Sequence, residues 1–207
     1  MNTVVVSARV RRRRAFVVVL VLAAAAITGI VLQQSLAGSS AASEFSRVLG
    51  LDGAVTAEDG LLPEGETVSI FDDSSPAVAN LSGDLLGAVR DAATDARADG
   101  VEFVVTSGWR SPALQAKLLK DAVATYGSEE EAARWVATPE TSSHVTGDAV
   151  DLGPLAAQDW LAQYGSGYGL CQTYANERWH YELRPEAVED GCPAAYADPT
   201  EDPRMRG

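Results

Sequence analysis

The chain has only two histidines, His144 and His180, and each lies close to a carboxylate. The first stands in Ser142-Ser143-His144-Val145-Thr146-Gly147-Asp148-Ala149-Val150-Asp151-Leu152, the second in Glu177-Arg178-Trp179-His180. His144, Asp151 and His180 are donors of the kind that bind Zn2+. Three protein ligands leave one tetrahedral position open, which is the arrangement of a catalytic zinc rather than of a closed structural one. Glu177 then suits a general base, because a carboxylate beside an activated water can take its proton as the water attacks a carbonyl.

The elements around these residues have to bring them to one point. His144 and Asp151 would share a face of a continuous helix, but Gly147 and the β-branched Val145, Thr146 and Val150 argue against one. A turn followed by a strand does the same work, with Asp151 facing the site and Val150 and Leu152 facing the core. Asp148 competes with Asp151 but falls in the turn and on the other strand parity. Glu177 and His180 would face opposite sides of a straight strand, so Glu177 is expected in the turn that enters it. Ser142 is placed to bond the loop backbone or a substrate carbonyl. Arg110, after Gly108 and Trp109 on a strand-to-helix turn, is an exposed cation able to hold a peptide carboxylate by two parallel bonds.

Each residue also has a plainer reading. A lone histidine is usually structural, Asp151 could end a strand, and Glu177 could pair with Arg178 or Arg184. The plain readings weaken together, because both histidines come with a carboxylate at usable spacing. Trp109, Trp160 and Trp179 read as core or pocket wall.

Composition narrows the setting. Residues 1–14 carry five arginines and no acid, and residues 15–32 follow without a charge. A signal-anchor helix is expected, with a cleaved signal peptide as the rival because Ser35-Leu36-Ala37 offers small residues before Gly38. Either places the rest of the chain outside the membrane, since the arginines stay inside. Beyond residue 14 there remain 11 basic and 29 acidic side chains, a net charge of −18, which excludes nucleic acid as a partner. Cys171 and Cys192, the only cysteines, read in an exported protein as a disulfide, against free thiols or a metal site.

The expected organisation is a basic N-terminus with its apolar helix over 1–37, a linker over 38–46, one domain over 47–192 and a disordered tail over 193–207. Within the domain, Ala54–Ala57 and Thr67–Phe71 suggest short strands. Ser82 caps a helix running to Ala98, and Val101–Thr106 is a buried strand. Pro112 opens a helix with an apolar stripe of Leu114, Leu118, Leu119 and Val123, and Ser128–Val136 is a further helix. Strands are expected at Ala149–Leu152, Tyr168–Cys171 and Trp179–Leu183, with a helix at Leu155–Tyr164. Without regular strand–helix alternation, the fold class is α+β, a small antiparallel sheet with helices packed on it.

These residues resemble a known family. Val101 to Leu183 is similar to the zinc D-alanyl-D-alanine carboxypeptidases of the VanY and VanX type, which share the hedgehog/DD-peptidase fold. The family's Ser-Gly-Tyr-Arg-Ser turn is matched by Ser107-Gly108-Trp109-Arg110-Ser111, and the Gln of its next helix by Gln115. Its Ser-x-His-x-x-Gly-x-Ala-x-Asp-Leu block is matched by Ser142, His144, Gly147, Ala149, Asp151 and Leu152. Its Glu-x-x-His block is matched by Glu177 and His180, with Trp179 before the histidine and Tyr168-Gly169-Leu170 ahead of the block. Pro139-Glu140, Ser143, Val145 and Trp109 depart from the common residues.

The resemblance implies a zinc metallopeptidase with His144, Asp151 and His180 as ligands and Glu177 as catalytic base. It implies Arg110, with Ser142 and Gln115, as substrate contacts. The implied substrate is the D-Ala-D-Ala end of a peptidoglycan stem peptide. The alternatives are another peptidoglycan endopeptidase on the same site, or a catalytically silent wall-binding or signalling module.

Overall fold

One row of residues crosses the middle of the sheet and sets the architecture. In the computed structural model, which describes residues 54–205, Ser107 on β2 (Val104–Ser107) lies opposite Asp151 on β3 (Ala149–Gly153). Asp151 in turn lies opposite His180 on β5 (His180–Leu183). Directly opposed residues of an antiparallel pair hold their side chains about 5 Å apart on one face. The register alone therefore brings the aspartate and the second histidine together. It shifts between Val105 and Ser107, a bulge that re-aims the end of β2 toward the row.

The sheet has five strands in the order β1-β2-β3-β5-β4, every pair antiparallel. β1 is Val68–Ser69 and β4 is Leu170–Gln172. The expected α+β class with an antiparallel sheet is what the chain adopts. Alternation separates core from site: Val105, Val150, Leu152 and Tyr181 enter the apolar core, while Asp151 and His180 face away from it.

The helix Gly83–Ala98 packs into that core through Leu85, Val89, Ala92, Ala93 and Ala96, the 3.6-period face expected of it. Ser82 stands at its N-cap but makes no side-chain capping bond. The helix Leu155–Tyr164 adds Trp160 and Leu161, and Phe103 meets Trp160 edge-on at 5.7 Å.

Some expectations are corrected. Ala57–Asp59 is a 3-10 turn capped by Thr56, not a strand. The helix expected over Ser128–Val136 covers only Glu129–Ala132, with Ser128 accepting from the Glu131 amide as its cap. In the helix Pro112–Tyr126 only Leu114, Gln115 and Ala122 are buried. Leu118, Leu119 and Val123 instead line cavities. The tail expected to be disordered is ordered to Met205, with two 3-10 turns and with Asp198, Pro199 and Asp202 buried. Cys171 and Cys192 are disulfide-bonded. The expected N-terminal helix and linker lie outside the described residues, among which no helix is long and apolar enough to cross a membrane.

Gly108 shows how tightly the site is braced. A Cβ there would stand 2.0 Å from the Ala77 carbonyl oxygen, while the next amide, Trp109 N, donates to that same oxygen. Gly108→Ala must push this backbone apart, and is expected to cost about 3 kcal/mol. The denaturant midpoint of the folded chain measures it, and a midpoint equal to the parent's contradicts it.

Candidate active site

Asp151 and His180 come from the cross-strand row, and His144 arrives from a separate turn. Ser143–Thr146 is a single helical turn that Gly147 ends in the left-handed conformation, φ +80°. A side chain at Gly147 would also meet the Asn80 carbonyl at 2.5 Å, so glycine is required on both counts. The chain then enters β3, and His144 swings over Asp151. Asp148 stays exposed, away from the row.

The three donor atoms form a nearly equilateral triangle. His144 Nε2 lies 3.2 Å from His180 Nδ1 and 3.4 Å from Asp151 Oδ1, and His180 Nδ1 lies 3.3 Å from the same oxygen. All three residues are buried. The ring nitrogens facing away fix the tautomers. His144 Nδ1 donates to the Gly108 carbonyl at 2.8 Å, and His180 Nε2 donates to Glu182 Oε1 at 3.3 Å. With those outward nitrogens held by acceptors, His144 Nε2 and His180 Nδ1 are the atoms left to bind an ion, as in metal-binding histidines.

The donor set fits zinc. A tetrahedral ion bound at about 2.0–2.1 Å has donor–donor edges of roughly 3.3 Å, the size of this triangle. Asp151 Oδ1 and Glu177 Oε1 are buried without a hydrogen-bond partner among the described residues, an arrangement that costs free energy unless something else satisfies them. Electrostatics agree. Burial would raise Asp151, but His144, His180 and Arg110 outweigh it and hold its carboxyl far below the usual range. Burial would lower His180, but the carboxylates of Asp151 and Glu182 beside it raise it to about 9. The excess of negative charge that keeps a proton there is what a divalent cation satisfies.

Glu177 lies in the loop entering β5, as its spacing required, with Oε2 3.7 Å from His180 Nδ1. Burial pushes its carboxyl up to about 7. Among the described residues it has no arginine ion-pair partner: Arg178 pairs with Asp159 and Arg184 with Glu182.

Arg110 is not the exposed cation the sequence suggested. Its Nε donates to Ser107 Oγ at 2.8 Å, Nη1 to Gln115 Oε1 at 3.2 Å and Nη2 to Asp151 Oδ2 at 3.0 Å. Two of its N–H groups remain for the cavity. Gln115 is buried and held by the Ala137 carbonyl, so it braces Arg110 from behind. Ser142 is buried against the cavity. The cleft is about 340 Å³ and is walled by Trp179, Tyr174, Tyr126 and Trp135. A larger apolar groove of about 630 Å³ shares Val136, Ala137, Pro199 and Met205 with it but has none of these polar groups.

Glu182 escaped the sequence reading. It is 2% exposed and orients His180, and its signal was its parity: two residues beyond His180 on a strand, it must share the histidine's face.

Two imidazoles and an aspartate at one point, with a second carboxylate beside them in a cleft, make the constellation of a mononuclear metal hydrolase. A family model described as VanY, D-alanyl-D-alanine carboxypeptidase, matches residues 79–186, just over half of the chain, and the chain belongs to that family.

A curated D-alanyl-D-alanine carboxypeptidase of Enterococcus faecalis (strain ATCC 700802 / V583) is 32% identical over 42% of this chain, and the match spans 41% of that protein's length. Among solved structures, a mutant of the vancomycin-resistance D,D-pentapeptidase VanY from a VanB-type cassette, in complex with Zn(II), has a TM-score of 0.53 at 24% identity. It covers 63% of this chain and 86% of its own. VanYB in complex with D-alanine-D-alanine gives 0.51 at 24%, covering 66% and 87%. The LD-carboxypeptidase LdcB gives 0.50 at 22%, covering 65% and 73%. These likenesses show the shared fold.

Proposed function

We propose that the chain is a zinc-dependent D-alanyl-D-alanine carboxypeptidase that removes the terminal D-Ala of peptidoglycan stem peptides outside the membrane. The observation that carries this reading is the donor triangle with the unpartnered Asp151 and Glu177 oxygens turned into the cleft. His144, Asp151 and His180 would hold the ion. When bound, zinc supplies Lewis-acid activation of water and of the scissile carbonyl.

The remaining chemistry belongs to side chains. Glu177 takes a proton from the attacking water as its oxygen bonds to the carbonyl carbon. When the C–N bond breaks, the same carboxyl returns the proton to the departing amine of D-Ala. Arg110, fixed by Ser107, Gln115 and Asp151, turns its two remaining N–H groups toward the peptide's carboxylate or carbonyl oxygen. The Ser142 hydroxyl is a second polar contact for the substrate. The D-alanine-D-alanine bound by VanYB and the Zn(II) bound by the VanY mutant, both on this fold, support the substrate and metal proposed here. The basic, apolar N-terminus supports extracytoplasmic action from a membrane anchor.

The test is to incubate the zinc-loaded full chain with a synthetic stem pentapeptide. Free D-Ala and the tetrapeptide are expected, abolished by a chelator and restored by added zinc. An intact pentapeptide, or release indifferent to the chelator, contradicts the reading.

A further inference from the structure

The matched family segment ends at residue 186, yet the chain returns to the site after it. Glu182, which holds His180, is gripped by Arg204 from the C-terminal 3-10 turn. Arg204 Nη1 donates to Glu182 Oε2 at 2.7 Å and Nη2 to Oε1 at 3.2 Å. The other partners each take one oxygen: Ser143 Oγ and His180 Nε2 on Oε1, Arg184 on Oε2. A carboxylate turns easily about its last bond, and Arg204 is the partner that bridges both ends. It therefore sets where Oε1 points, and Oε1 sets the His180 ring.

Arg204 is itself fixed. Its Nε lies 3.1 and 3.0 Å from the two Asp202 oxygens. Asp202 is fully buried and accepts from the Tyr174 hydroxyl at 3.0 Å. The Tyr174 ring then stands 5.0 Å from the His180 ring. The contacts close a circuit that begins and ends at one imidazole. The segment does not need this contact for its attachment, because Arg134 pairs with Asp198 at its other end. Pro199 and Met205 also form part of the cleft wall.

We propose that the segment Asp198–Met205 is a working part of the metal site, with Arg204 a positioning residue that fixes His180 through Glu182. This rests on the zinc reading above. The test measures Zn2+ affinity of the full chain by competition with a chromophoric chelator, alongside the visible spectrum of the Co2+ form. Arg204→Ala is expected to weaken zinc binding about 10–100-fold and to alter the cobalt spectrum. Arg204→Lys, which keeps the charge but not the fork, should fall between the two. Arg134→Ala, which frees only the far end, should bind zinc as the parent does.

Zinc affinity within twofold of the parent in Arg204→Ala, with an unchanged cobalt spectrum, overturns the proposal. So does an equal loss in Arg134→Ala, which would mean only that the tail must be attached. If Arg204→Ala does not fold, Arg204→Lys decides, and parental affinity there overturns it. A parent chain that binds no zinc removes the metal reading and this inference together, a result distinct from a parent that binds and variants that do not differ.

Discussion

Glu177→Gln is expected to lower kcat for D-Ala release by about 10²–10⁴ while zinc content and KM stay near those of the parent. Glutamine has the volume of glutamate and keeps one oxygen, but it cannot accept the proton of the attacking water. The carboxylate is buried and its Oε1 has no partner among the described residues, so the fold gains nothing from its charge. Burial has already pushed its carboxyl up to about 7, which marks the ionised form as costly. The variant should therefore unfold at a denaturant concentration no lower than the parent's. Lost turnover with retained metal and retained stability is the signature of a group placed for reaction rather than for folding. Metal loss in Glu177→Gln would instead make Glu177 a ligand. Undiminished turnover would remove it from the chemistry.

Asp151→Ala is expected to fail twice over. One oxygen of Asp151 faces the two imidazoles, at 3.4 and 3.3 Å. The other accepts from Arg110 at 3.0 Å, with both side chains largely buried. Removing the carboxylate takes away a zinc donor and leaves the guanidinium as an uncompensated buried charge, a loss of about 3–5 kcal/mol. The double variant Asp151→Ala with Arg110→Ala removes that charge as well, and should recover part of the stability without recovering zinc. Zinc stoichiometry and denaturant midpoints across this cycle separate the two roles. A single variant that binds one zinc with parental affinity, or unfolds with the parent, would contradict the assignment.

The convergence of His144, Asp151 and His180 was legible because it depends on local rules. A glycine that must end a helical turn, and alternation that turns Asp151 away from Val150 and Leu152, suffice to aim the residues. The rest depended on tertiary partners. Arg110 sits on a turn that looks exposed, and it is drawn largely under cover because Asp151, Gln115 and Ser107 receive it. Leu118, Leu119 and Val123 keep helical spacing, but they face cavities rather than core. The C-terminal segment has no apolar periodicity and so reads as disordered. It is held by charge pairs and side-chain caps instead, such as Asp198 on Arg134 and on the Thr200 amide. Such contacts leave no repeating pattern in sequence.

The outer strands have a consequence for how the protein behaves at high concentration. β1 has two residues and β4 three, and these flank the sheet. Foreign chains add to a sheet by zipping along a free margin, and the gain grows with each rung of the ladder. Here the ladder offers too few rungs to hold a neighbour, so copies of the domain can crowd together without knitting into one sheet.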